Sequence, residues 1–193
     1  TIGDHFDIQA KKYANNEALI VKHQNVRWTY AQLHERVKEA ARAFLSIGIK
    51  REDRVGIWAL NRAGWTIVQF ATAKIGAILV NINPNYQEDE LEYALKQSGC
   101  SVLIMAERTK YLDYTGMINN IIPELATSVP GEVQSAKLPM LKRVVRLTEE
   151  QEPGMEVWSS FLKRGSIDLQ EELVRRQGEL TFDDPINIQY TSG

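Results

Sequence analysis

Two hydroxyl groups and a glycine follow a short apolar segment at the end of this sequence. Residues 186–190 have the composition of a strand, and the next residues are Thr191, Ser192 and Gly193. A loop of such small residues can direct N–H groups and hydroxyls around an anion, because glycine permits backbone conformations that larger side chains forbid. Such loops bind phosphate groups, but the same residues also form ordinary turns after strands. On these residues alone, a phosphate site and a plain turn both stay open.

Other residues that can do chemistry lie in patterns more typical of structure. His5, His23 and His34 have neither metal-ligand nor triad spacing, which favours surface or hairpin positions. Asp183 and Asp184 precede a proline, and adjacent carboxylates there form a solvated turn more often than a magnesium site. We therefore assign no catalytic residue and no metal ligand within these 193 residues.

Four further side chains are predicted to be mainly structural. Cys100 directly precedes an apolar segment and is expected to be a small core residue. Trp58 and Trp65 are expected in a core of sheet and helix. Tyr190 either packs as the last core residue of its strand or lines the approach to a nucleotide, and packing is favoured.

Composition places the chain among globular proteins. Of its 193 residues 44% are hydrophobic, and the formal net charge is −2, so no global basic field favours nucleic acid. A single cysteine allows no intrachain disulfide, which indicates a reducing compartment, and we predict the cytoplasm. Peripheral contact with a membrane and homo-oligomerisation both stay open.

The longest apolar stretch, residues 63–82, approaches the length of a membrane span. Gln69, Lys74 and Gly76 interrupt it, which favours a buried helix followed by a buried strand. The first residues contain no basic segment followed by an apolar core, so no signal peptide is visible.

Strand and helix signals alternate along the chain. Thr29 and Gln32 form the pattern of a capping box before an amphipathic helix, and Asn85 and Glu88 repeat that pattern. Strands are predicted at residues 18–22, 26–29, 54–59, 77–82, 101–105 and 143–147 and at the end of the chain. Helices are predicted after residue 29, at 61–75, before Gly99, within 109–125, at 158–162 and at 169–177, with a long loop at 126–138.

This alternation predicts an α/β fold. Short apolar strands separated by helices favour a doubly wound, mainly parallel sheet with helices on both faces. The first two strands, separated by three residues, are expected to form an N-terminal hairpin at the edge of the sheet.

Three stretches, taken in order, resemble core motifs of the adenylate-forming superfamily, which includes acyl-CoA synthetases, luciferases and peptide-synthetase adenylation domains. WTYAQL at residues 28–33 resembles the first motif, and AKIGAILVNINP at 73–84 is similar to the second. DPINIQYTSG at 184–193 resembles the entry to the third, a phosphate loop. NINPNY at 81–86 is more similar to fatty-acyl-CoA synthetases than to peptide-synthetase domains, although Gln87 stands where the acyl-CoA branch commonly has arginine.

The resemblance implies a function for a longer parent protein. Residues 1–193 would be the N-terminal portion of an AMP-binding domain, and Thr191, Ser192 and Gly193 would begin the loop that binds the phosphates of ATP. The parent would use ATP, Mg²⁺ and CoA to convert a carboxylic acid, expected to be a fatty acid of a chain length that these residues do not specify, into an acyl-adenylate and then a thioester. The 193-residue piece alone is expected to be inactive, because the family's other nucleotide-binding residues have no counterpart in it.

Two alternatives to a fatty-acyl-CoA synthetase stay open. One is a related enzyme, an aryl-CoA ligase or a peptide-synthetase adenylation domain. The other is a non-catalytic α/β binding module whose last residues form a plain turn.

Overall fold

A computed structural model of the chain describes residues 1–191. Its helices are α1 (Ile2–Lys12), α2 (Tyr30–Ser46), α3 (Ala63–Ile75), α4 (Glu88–Ser98), α5 (Tyr114–Ile121), α6 (Trp158–Lys163) and α7 (Gln170–Gly178). Its strands are β1 (Glu17–Val21), β2 (Val26–Thr29), β3 (Arg54–Trp58), β4 (Ile78–Asn81), β5 (Val102–Met105), β6 (Arg143–Arg146), β7 (Glu156–Val157) and β8 (Asn187–Gln189). Short 3₁₀ helices lie at Lys22–Gln24, Pro123–Thr127 and Ile167–Leu169.

The chain divides into two compact units. The helical unit contains Thr1–Glu52, Asn61–Ile78 and Leu162–Ile186. The sheet unit contains Asp53–Leu60, Leu79–Phe161 and the residues from Asn187 onward.

In the helical unit, α2 follows the sequence prediction closely. The hydroxyl of Thr29 accepts a hydrogen bond from the N–H of Gln32, and the Gln32 side chain accepts one from the N–H of Thr29. This reciprocal capping box satisfies two N–H groups that the helix itself leaves unpaired. The apolar face of α2 is buried, and α2 packs against α1, α3 and α7.

Helix α1 was not predicted from the sequence. Thr1 and Asp4 form its capping box, and only Gly3, Phe6 and Ala10 are buried. Three buried residues among eleven give only a weak helical periodicity in the sequence. The helix is therefore stabilised by packing against α2 and α3 rather than by an amphipathic pattern of its own.

The predicted hairpin is present but its location differs from the prediction. Strands β1 and β2 pair antiparallel with each other as a separate two-stranded sheet. The hairpin therefore adds no strand to the edge of the larger sheet among residues 1–191. Local sequence specified the pairing of the two strands but not where the pair would lie.

The sheet unit contains a six-stranded sheet with the order β7-β6-β5-β3-β4-β8. The pairs β3/β5, β4/β8, β5/β6 and β6/β7 are parallel. All four residues of β5 are buried, as expected of a central strand in a parallel sheet. The predicted α/β class with a mainly parallel sheet is confirmed.

Helix α4 begins two residues later than the predicted capping box. The N–H groups of Asn85 and Tyr86 are bound by the side chain and the backbone carbonyl of Asn83, which forms a turn. Glu90 instead accepts a hydrogen bond from the N–H of Gln87 at the helix start. The turn after Pro84 therefore displaces the helix start, whereas the predicted end at Gly99 is confirmed by its left-handed backbone.

Candidate functional site

The carboxyl ends of four strands meet at one edge of the six-stranded sheet. The N–H of Ile82, just after β4, donates to the carbonyl of Ile57 in β3, and the N–H of Ala106, just after β5, donates to the carbonyl of Trp58. Strand β8 runs parallel to β4, so its end lies at the same edge. Ligands of open parallel sheets bind outside the carboxyl ends of the strands, which makes this edge the candidate site.

The residues predicted to bind phosphate follow β8 at this edge. Thr191 is exposed to solvent. Ser192 and Gly193 lie outside the described residues. The structure thus brings the one described member of the predicted loop to the edge where a ligand of this fold would bind.

Tyr190 fixes the segment immediately before Thr191. Its hydroxyl donates a hydrogen bond of 3.1 Å to the carbonyl of Ala94 in α4, and its side chain is half-buried. Burial raises the pKa of Tyr190 above its ordinary value. These contacts agree with the packing role favoured for this residue, and they attach the start of the loop to a helix.

A second attachment lies across the two parallel strands. Asn81 and Gln189 are register partners in β4 and β8, and Asn81 Nδ2 donates to Gln189 Oε1 at 2.8 Å. Neither residue was singled out from the sequence as a site residue. The only signal was the position of Asn81 within a stretch that resembles a family motif.

Two stacked aromatic rings contact the turn that follows β4 at the same edge of the sheet. The rings of Trp58 and Tyr114 stack with centroids 3.7 Å apart, and both side chains are fully buried. Trp58 Nε1 donates to the carbonyl of Asn83, and the Tyr114 hydroxyl donates to the carbonyl of Pro84. Two buried rings thus hold the turn that follows β4. Trp58 was predicted to be in a core, whereas Trp65 is only half-buried.

The carboxylates of Asp183 and Asp184 belong to the helical unit. The N–H of Thr181 donates to Asp184 Oδ2 at 2.8 Å, and Arg51 forms an ion pair with the same carboxylate. The hydrogen bond from the Thr181 backbone and the Arg51 guanidinium hold the pKa of Asp184 below its ordinary value. Asp184 is therefore engaged in a turn and an ion pair.

Sequence reasoning missed a polar cluster in the helical unit. Lys74 Nζ lies 2.6 Å from both carboxylate oxygens of Asp7, and His34 Nε2 lies 2.7 Å from Asp7 Oδ1. Gln177 Nε2 also donates to Asp7, at 2.9 Å. His34 was expected at the surface, but its side chain is only 24% exposed. The available signal was the lysine within an apolar stretch.

Cys100 is a buried free cysteine. Burial raises the pKa of the Cys100 thiol to about 11, so the thiol stays protonated at neutral pH, which agrees with a core residue.

Among residues 1–191 no group of three or more His, Cys, Asp or Glu side chains could hold a metal ion. Within that same part of the chain, no helix is long and apolar enough to cross a membrane.

The comparisons with known proteins extend over the whole chain. A family profile described as "AMP-binding enzyme" matches residues 6–193. A mitochondrial medium-chain acyl-CoA ligase from Bos taurus is 41% identical over 100% of this chain and 31% of its own length. The chain therefore spans about a third of the length of this curated relative.

Solved structures share the fold at low sequence identity. An anthranilate CoA ligase, crystallised with anthranoyl-AMP, has a TM-score of 0.80 at 22% identity, over 100% of this chain and 32% of the other. A fatty acyl CoA synthetase from Mycobacterium tuberculosis has a TM-score of 0.67 at 21% identity, over 99% of this chain and 32% of the other. At these identities the likeness establishes the fold alone.

Proposed function

We propose, from the premise that this chain belongs to the AMP-binding enzyme family, that its parent protein is an AMP-forming acyl-CoA ligase. The parent activates a carboxylic acid with ATP to give an acyl-adenylate and pyrophosphate. It then transfers the acyl group to the thiol of CoA, with release of AMP. Residues 1–193 are the N-terminal portion of its AMP-binding domain.

The observation that carries this proposal is the family match over residues 6–193, which ends on the segment that follows β8. The exposed side chain of Thr191 lies at the carboxyl edge of a parallel sheet, where ligands bind in such folds. The bovine relative, described as an acyl-CoA ligase, supports the same reaction class.

The chemistry explains why a fixed donor loop is needed. A carboxylate oxygen is a poor leaving group and AMP a good one, so activation requires a carboxylate to approach the triphosphate against charge repulsion. N–H and hydroxyl donors held in place before the reaction lower this barrier without reorganisation. We propose that Thr191, Ser192 and Gly193 supply such donors, and that Tyr190 holds the start of the loop through Ala94.

Mg²⁺, when bound, would neutralise part of the phosphate charge. The described residues contain no acidic or histidine cluster for it. We therefore assign no ligand of Mg²⁺ to residues 1–191. ATP binding by the loop fits the donor chemistry of Thr191, whereas the position of CoA has no residue assigned to it in this part of the chain.

The test is carboxylate-dependent exchange of pyrophosphate into ATP by the full-length parent, with CoA thioester formation followed in parallel. We expect exchange with at least one acid and transfer to CoA. The variant T191V removes the loop hydroxyl and should lower kcat/KM for ATP about tenfold or more. T127V, which changes an exposed threonine in a 3₁₀ helix of the sheet unit, should leave exchange unchanged.

Comparison of different carboxylic acids in the exchange assay decides the substrate class. We propose a fatty acid, because the bovine relative is described as a medium-chain ligase and residues 81–86 resemble the fatty-acyl branch. Fatty acids of short, medium and long chain are compared with benzoate and with amino acids. Preference for benzoate, or for an amino acid without transfer to CoA, would replace this substrate class. Absence of exchange with every acid would favour a non-catalytic binding module.

We further propose that residues 1–193 are insufficient for catalysis, because this segment spans about a third of its relative. Robust exchange by the purified segment would contradict that proposal. The cytoplasm stays our prediction for the parent's compartment, although the bovine relative is described as mitochondrial. Fractionation of cells that express the tagged parent distinguishes the two.

A further inference from the structure

Of the two polar side-chain atoms of Asn81, only the nitrogen has a hydrogen-bond partner among residues 1–191. Its Nδ2 donates to Gln189 Oε1 at 2.8 Å, which joins the last residues of β4 and β8. Its Oδ1 is buried and has no hydrogen-bond partner among residues 1–191. A buried carbonyl oxygen without a donor costs about 1–3 kcal/mol, and nearly all such groups in native proteins are paired. An unpaired acceptor at the candidate site therefore indicates a donor that reaches it in the functional state.

The bound phosphates cannot supply that donor. Phosphate and carboxylate oxygens of the ionised substrates accept hydrogen bonds and carry no proton to give. Among the described residues, the segment that follows β8 carries a hydroxyl donor, that of Thr191. Thr191 is two residues beyond Gln189, and in an extended segment side chains two residues apart lie on the same face. That face carries the Asn81–Gln189 pair, because register partners of adjacent strands share a face.

We propose that Asn81 is a positioning residue for the phosphate loop, with Oδ1 accepting the hydroxyl hydrogen of Thr191 when ATP is bound. The backbone N–H of Thr191 then remains available to donate to phosphate. Asn81 thus holds Gln189, the last residue of β8, through its nitrogen and Thr191, the first residue of the loop, through its oxygen. This inference rests on the proposed function, because the bound state it describes requires ATP at the loop.

The experiment is a double-mutant cycle in the full-length parent, with KM for ATP and kcat measured by pyrophosphate exchange. T191V removes the hydroxyl, T191S retains it, and N81L removes the acceptor at similar volume. We expect T191V to raise KM for ATP about tenfold and T191S to leave it within about twofold. In the N81L background T191V should add less than about twofold, because its partner is already gone.

A second pair of variants separates this contact from the strand pairing. Q189L removes the amide partner of Asn81 but leaves Asn81 Oδ1 in place. T191V should therefore still raise KM for ATP about tenfold in the Q189L background. N81D retains an oxygen at the same position, so T191V should again cost about tenfold there. If N81L lowers Tm too far for assay, N81A, which also removes the acceptor oxygen, takes its place in the cycle. T127V serves as the matched control in every background.

The possible results separate failure of this inference from failure of the proposed function on which it rests. A wild-type parent without exchange for any acid overturns the proposed function, and this inference with it. An active parent in which T191V costs the same in N81L as in wild type overturns the role of Asn81 alone. An active parent in which T191V has no effect also overturns it, whatever N81L does.

Discussion

The ammonium group of Lys74 lies 2.6 Å from both carboxylate oxygens of Asp7, and only 2% of the Lys74 side chain is exposed. The two residues come from α3 and α1. The same carboxylate contacts His34 of α2 and Gln177 of α7. One carboxylate therefore joins four helices of the helical unit, through residues that are distant in the sequence.

Replacing Lys74 with methionine should destabilise the protein by about 2 kcal/mol. Breaking a buried pair leaves an uncompensated charge, at a cost of about 3–5 kcal/mol, and the partial exposure of Asp7 reduces this figure. Urea unfolding monitored by circular dichroism measures the change. K38M is the control, because Lys38 pairs with the largely exposed Glu35 and should lose less than about 0.5 kcal/mol. A similar loss in both variants would contradict the prediction.

Acid should weaken the protein in part through Asp7. Burial alone would raise the pKa of Asp7, but hydrogen bonds with His34, Lys74 and Gln177 outweigh it and hold that pKa well below its ordinary value. A depressed folded-state pKa gives stability that is present above the unfolded pKa of about 4 and is lost as pH falls through the folded pKa.

In the variant D7N this contribution is absent at every pH. The fall in unfolding free energy between about pH 6 and pH 3 should therefore be smaller than in wild type, by about 1 kcal/mol after allowance for exposure. Asp4 is half exposed, so D4N should change the acid dependence less. Equal pH dependence of the unfolding free energy in wild type and D7N would contradict the prediction, because it would mean that the pKa of Asp7 is the same in the folded and the unfolded state.

Removal of the Thr29 cap should destabilise α2. In T29A the N–H of Gln32 loses its acceptor, and such substitutions cost about 1 kcal/mol. Q32E retains a side-chain acceptor for the N–H of Thr29 and should cost much less. Thermal and urea unfolding of the two variants compare the effects, and equal stability of T29A and wild type would exclude the cap as a contributor.

Tyr114 should make the protein sensitive to alkali. Burial raises the pKa of Tyr114 to about 12, and its hydroxyl donates to the carbonyl of Pro84. A folded-state pKa above the unfolded value of about 10 gives stability that is complete below pH 10 and is lost as pH rises toward 12. Y114F keeps the stack on Trp58, should cost about 1 kcal/mol at pH 7, and should show a weaker loss at high pH. An unchanged alkaline profile would contradict this assignment.

The purified 193-residue chain should self-associate. Strand β8 is an edge of the six-stranded sheet and has only three residues, and an unpaired edge is a template for another strand. Sedimentation velocity over a range of concentrations measures this tendency. Substitution N187K places a charge on the exposed edge and should reduce association, whereas a monomer at all concentrations would rule it out.

Local sequence predicted the elements whose residues carry their own signal. The buried residues of β5 form a continuous apolar run, and Thr29 with Gln32 specifies the start of α2, so both were found. Helix α1 has too few buried residues to show a period, and the two-residue strand β7 is too short to show one. The start of α4 was misplaced because a turn at Asn83 competes with the predicted cap.

The sequence by itself determined the α/β class, the family motifs and the position of Thr191 after a strand, because periodicity and motif wording are properties of neighbouring residues. Only the tertiary structure decided that the hairpin forms a separate sheet, that Asp7 meets Lys74, and that Asn81 meets Gln189. Those contacts join residues far apart in the chain. They depend on strand order and helix packing, which the spacing of side chains along one segment does not encode.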